Sequence, residues 1–135
     1  MIITPTIKDT VLNYLCSTFR VEQHEMLDMK DILSDLNLDF DTFYAVMQYF
    51  QRIGFLEELG LNRRAVRLIL LTEAHDFHLK GGFVIQEEIF KANIEKLGFE
   101  IDNLKKQLGP DKLDTLNTIS SIASALFSGL ALLPK

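Results

Sequence analysis

Arg63, Arg64 and Arg67 place three cations within five residues. Guanidinium is a fixed positive fork that bonds phosphate oxygens in pairs, so a cluster of this kind can grip a nucleic-acid backbone. A second set, Gln48, Gln51 and Arg52, lies a dozen residues upstream. In a major groove, glutamine can bond adenine bidentately and arginine can do the same with guanine. These six residues form the candidate DNA-contacting set, although a solvated hairpin tip is an equally ordinary home for arginines.

Other reactive side chains point nowhere so definite. His75 and His78, with Glu73 and Asp76 beside them, share one face of a helix and are spaced for a divalent metal. Two histidines on a short polar helix are more often plain surface, and no metal is expected. His24 stands alone. There is no Gly-rich phosphate loop, G-x-S-x-G elbow or H-E-x-x-H motif, and Cys16 has no neighbouring histidine to activate it. Neither catalytic residues nor a cofactor are expected, and the chain reads as a non-enzyme.

The 135 residues suit a small domain with a helical appendage, and 47% hydrophobic content with 10 Phe supplies a core. Net charge is −5, which disfavours strong non-specific adhesion to phosphate but leaves room for a local basic patch. Cys16 falls in an apolar helical pattern, where a buried thiol in a reducing, cytoplasmic setting is the plain reading. The first residues lack a basic stretch followed by a long apolar run, so no secretory leader is expected.

The front of the chain must position the candidate residues. Thr6 and Asp9 have capping-box spacing, and Ile7, Val11, Leu12, Leu15 and Phe19 then recur with a helical period. Residues 21–28 read as a connector with some extended character. Asp28 opens a short helix with Ile32, Leu33 and Leu36 inward, and Asn37, Leu38 and Asp39 form a tight turn. A longer helix starts at Asp39 or Asp41, buries Phe43, Val46, Met47, Phe50 and Ile53, and ends at Gly54. Residues 55–59 and 66–71 are short β-rich runs around a turn-forming 60–65, which predicts a hairpin. Thr72 and Glu73 open another short helix, stopped by Gly81 and Gly82.

Helix, three-residue turn, longer helix, then Arg52-Ile53-Gly54-Phe55-Leu56 and Leu70-Leu71-Thr72-Glu73 resembles the winged helix-turn-helix fold of small bacterial transcription regulators. The resemblance covers roughly residues 6–80. It implies that the second helix of the pair enters the major groove and that the hairpin is a wing touching the backbone. Thr42, Tyr44, Gln48, Gln51 and Arg52 would then face outward. This chain departs from DNA-reading members in the acids at that helix's start, Asp39 and Asp41. Residues 1–81 hold eight Lys and Arg against twelve Asp and Glu, a local net charge of −4. Tyr44, Tyr49, Gln48 and Arg52 would serve a protein interface as well. Duplex DNA and a protein partner both stay open, with DNA-binding regulator the leading expectation.

The tail, residues 83–133, reads as an oligomerisation element. Phe90, Ile94, Leu97, Ile101, Leu104 and Leu108 alternate spacings of four and three, with Ile94, Ile101 and Leu108 at a and the others at d. That pattern favours a two-stranded homodimer, or else a helix packing its stripe within its own chain. Gly98 weakens the middle by roughly 1 kcal/mol. Gly109-Pro110 breaks the helix and Asp111 would cap the next one. Residues 115–134 carry no charge, yet interspersed Ser and Thr argue against a membrane span. Ile122, Leu126 and Leu130 join the expected interface. The expected fold is mainly α with a small β-hairpin: a winged domain over 1–80 and a two-helix tail.

Overall fold

The computed structural model describes residues 2–107 and 110–131. Thr4, not Thr6, caps the first helix, α1 (Pro5–Thr18): its hydroxyl accepts from Ile7 N at 3.2 Å, with Pro5 in the first turn where a missing N–H costs nothing. This frees Asp9 for a partner far along the chain. Residues after α1 form a true strand, β1 (His24–Asp28), where the sequence suggested only a connector. Then come α2 (Met29–Leu36) and α3 (Phe40–Arg52). Between them, Asn37 adopts a left-handed φ of 53° and Asp39 caps α3, accepting from Thr42 N at 3.2 Å. Gly54, at φ 85°, turns the chain out of α3.

The hairpin is longer-armed than expected. Gly60 and Leu61 belong to β2 (Leu56–Leu61) and Ala65 to β3 (Ala65–Leu70), leaving a three-residue tip. β3 is the central strand of an antiparallel sheet ordered β1-β3-β2. Val66, Leu68 and Leu70 point from β3 into the core and are fully buried, whereas Arg67 faces the other way. Apolar side chains from three helices join them in that core: Leu12 and Leu15 from α1, Ile32 from α2, and Phe43, Met47 and Phe50 from α3. Ile53, expected inward, ends α3 half out of the core at 40% exposure.

After β3, α4 (Thr72–Leu79) has an apolar N-cap, Leu71. Its first turn is served instead by Glu22, whose carboxylate accepts from Thr72 N at 3.1 Å and Thr72 Oγ1 at 3.0 Å. α5 (Gly82–Gln107) is served likewise from a distance: Asp9 accepts from Phe83 N at 2.6 Å and Val84 N at 3.0 Å. Phe83 then stacks on Phe50 at 5.8 Å and meets Phe77 at 4.6 Å.

The chain divides into two compact units, Met1–Val84 and Ile85–Lys135, so the start of α5 belongs to the first. In the second unit α6 (Pro110–Ala131) begins at Pro110 itself, ahead of the expected Asp111 cap. The result is mainly helical with one small three-stranded sheet.

Candidate recognition surface

The hairpin tip is shaped by Asn62, whose Oδ1 accepts from Arg64 N at 2.8 Å and Ala65 N at 3.0 Å. This Asx turn competes with regular strand and fixes where the next two arginines leave the backbone. Arg64 O in turn accepts from Met29 N at 2.9 Å, tying the tip to the start of α2. Arg63 folds back. Its guanidinium lies 4.5 Å from the centre of the Phe40 ring, and Nη2 is 4.0 Å from Asp41 Oδ1. The tip is therefore held against the N-terminal end of α3.

Arg67 belongs elsewhere. It projects from the outer face of the sheet, opposite Met26 on one side and Gly60 on the other. Gly60 leaves the room it needs, because a Cβ there would overlap the Arg67 side chain. Beside it, His24 Nε2 and Glu58 Oε2 are 2.8 Å apart, joining the two edge strands across β3. Glu58 sits in a β-bulge at φ 51°, a conformation that aims it outward. His24, Glu58, Leu59 and Arg67 line a hollow of about 360 Å³. The cation thus shares its surroundings with an acid.

On α3, Thr42 is buried rather than outward, because its hydroxyl donates to Asp39 Oδ1 at 2.6 Å. Those Thr42 bonds hold the Asp39 carboxyl below its ordinary range, so it stays charged at the helix start. Tyr44, Gln51 and Arg52 are exposed and Gln48 is half-buried. Tyr49 is half-buried too, against Phe83 and under the Lys8 ammonium at 4.2 Å. Eleven residues separate Asp41 from Arg52, about 16 Å along a helix. Arg63 accordingly meets one end of α3 while Gln51 and Arg52 occupy the other. The six candidate residues do not converge on one surface.

Two further residues matter here, one absent from the sequence reading and one, Asp9, read there as a cap for its own helix. Phe40 supplies the ring beneath Arg63, and Asp9 anchors α5. An aromatic directly after the N-cap candidate Asp39 was a legible signal for Phe40; nothing local pointed to the distant partners of Asp9.

In the second unit, Ile94 and Ile101 are buried within the single chain, whereas Phe90, Leu97, Leu104, Ile122 and Leu126 are exposed. Leu108 and the side chain of Leu130 lie outside the described residues. Burial pushes the Cys16 thiol up to about 11. His75 and His78 sit on α4, and among the described residues no group of three or more His, Cys, Asp or Glu is placed to hold a metal. Among the same residues no helix is long and apolar enough to cross a membrane.

Compared with known proteins, the chain matches no family, no curated protein and no solved structure.

Proposed function

We propose that the chain is a non-enzymatic, cytoplasmic winged-helix module that docks on protein rather than DNA, with its two-helix tail as the element through which copies associate. The order helix, strand, helix, helix, hairpin, with the hairpin's second strand central in the sheet, supports the winged-helix reading. One observation carries the choice of partner. The wing-tip Arg63 is turned onto Phe40 and Asp41, so the end of α3 nearest the wing presents Asp39 and Asp41 where a phosphate backbone would approach. Carboxylates there repel phosphate, and the −4 balance of residues 1–81 offers no wider positive field to offset them. Exposed Tyr44 beside Phe40 and Arg63 is a composition suited to protein contact.

A DNA-binding regulator is the second reading, favoured by Arg64 and Arg67 exposed on one hairpin. Titrating the intact chain against mixed-sequence duplex DNA over a range of salt separates the two.

A further inference from the structure

The two edges of the sheet differ. β2 is interrupted between Glu57 and Gly60 by the bulge that holds Glu58 at φ 51°, and an interrupted edge offers no straight row of backbone groups. β1 pairs with β3 without a break from His24↔Ile69 to Asp28↔Ala65, and it carries no proline or lysine to blunt its far side.

The ladder fixes which groups β1 turns outward. Met29 N donates to Arg64 O at 2.9 Å, which makes these two a hydrogen-bonded pair. By alternation Leu27 with Val66 and Glu25 with Leu68 are hydrogen-bonded pairs too. His24, Met26 and Asp28 therefore aim their N–H groups and carbonyls away from β3, the Asp28 carbonyl also serving the start of α2. Among the described residues, no loop or side chain bonds the backbone of His24 or Met26 on that side. The edge is also roomy. A hollow of about 320 Å³ adjoins it, lined by Thr18, Arg20, His24, Glu25, Met26 and Leu27. Met26 stands 69% exposed there, an apolar side chain without cover.

We propose that β1 pairs with β1 of a second copy, antiparallel about Met26, joining two three-stranded sheets into one of six strands. The strand is its own complement, and that selects the occupant. Turned about a twofold axis at Met26, His24 comes opposite Asp28 of the copy, Asp28 comes opposite His24 of the copy, and the two Met26 side chains meet at the axis. A basic imidazole thus faces a carboxylate at each end, with an apolar pair between them. The same register sets every outward N–H against an outward carbonyl, because 24, 26 and 28 pair only among themselves. On the inner face Glu25 comes beside Leu27 of the copy. Its carboxylate is already engaged by Arg20, at 2.8 Å from N and 2.9 Å from Nε, so the acids of the two copies do not meet bare. An unrelated strand would have to bring this inverted pattern, which the chain already carries. Five residues a side bury little area, so the pairing is transient and concentration-dependent. It uses the first unit alone and does not depend on the role proposed for the tail.

Amide exchange followed by nuclear magnetic resonance on the intact chain, at about 50 µM and about 1 mM, tests this. The amides of His24, Met26 and Asp28 exchange at least ~2-fold more slowly at the higher concentration, and those of Glu25 and Leu27, which already bond β3, do not change. Association through the tail alone gives no such alternation. Met26→Lys sets two ammonium groups together at the axis and abolishes the concentration dependence. Its unfolding midpoint stays where it was, because Met26 is exposed. Edge amides that exchange at one rate at both concentrations would overturn the proposal, whether or not the tail associates. So would slowing that persists in Met26→Lys, or that spreads equally to Glu25 and Leu27.

Discussion

The guanidinium carbon of Arg63 sits 4.5 Å from the centre of the Phe40 ring, with the Asp41 carboxylate 4.0 Å from its Nη2. An exposed ion pair at that distance contributes little energy. Its consequence lies in where it leaves the cation, folded onto the start of α3 instead of projecting from the wing. Replacing both acids with amides should release that cation and remove two repulsive charges. With Asp39→Asn and Asp41→Asn, mixed-sequence duplex binding that the unsubstituted chain lacks is expected to become measurable at low salt, while asparagine still caps the helix. Fluorescence anisotropy reads the change, and unchanged binding would mean that phosphate does not approach this end of α3.

Within the first unit, Asp9 serves the start of α5 by accepting from the N–H groups of Phe83 and Val84, and its position depends on Gly82. At φ 77°, Gly82 has a backbone that side chains strain to adopt, and a Cβ there would overlap the Asp9 carboxylate. Asp9→Ala should cost about 1–2 kcal/mol in urea unfolding, the usual loss when a helix start loses its acceptor. Gly82→Ala should cost about the same through strain. The double variant should cost less than the two losses added, since both act on one contact.

Glu25 accepts from Arg20 N at 2.8 Å and Arg20 Nε at 2.9 Å, and the side-chain bond leads in holding its carboxyl below the ordinary range. A carboxyl depressed by folding adds stability above its unfolded value, about 4.3, and that stability is lost as pH falls through the lower folded value. Denaturation midpoints of the unsubstituted chain should therefore fall more steeply below about pH 4.5 than those of Arg20→Ala. Parallel curves would show that the Arg20 contact does not couple to folding.

Cys16 is half-buried, and its thiol is pushed up to about 11 by desolvation. Thiolate is the reacting form, so at pH 8 only ~0.1% of it is available in the folded chain. Iodoacetamide should label the native protein far more slowly than the urea-unfolded one at pH 8, and the gap should narrow above pH 10. Equal rates at pH 8 would mean that the α1 face carrying Cys16 opens readily.

Local signals carried most of the first unit. The 3.6-residue period marked α1 and α3, Asn37 and Gly54 marked their flanking turns, and the β-rich runs marked the hairpin. β1 was not legible, because His24–Asp28 has little strand character of its own and is set by pairing with β3 forty residues later. Asp9 was read as a cap for its own helix, since nothing in its neighbourhood reveals partners 74 and 75 residues away. The Ile94 and Ile101 stripe was visible, but a heptad pattern does not say whose helix covers it. The candidate recognition residues were identified one by one. Their spread over two ends of α3 and the outer sheet face depends on the hairpin register, which sequence does not fix.

The most direct measurement of the central claim is binding of the intact chain to fluorescent mixed-sequence duplex DNA, from about 50 to 200 mM salt, beside Arg63→Ala/Arg64→Ala/Arg67→Ala. A protein-docking module should show no salt-dependent binding even at about 50 mM, and the triple substitution should change nothing. Binding that weakens steeply with salt and is lost on removing the three arginines would contradict the account and put the wing on phosphate.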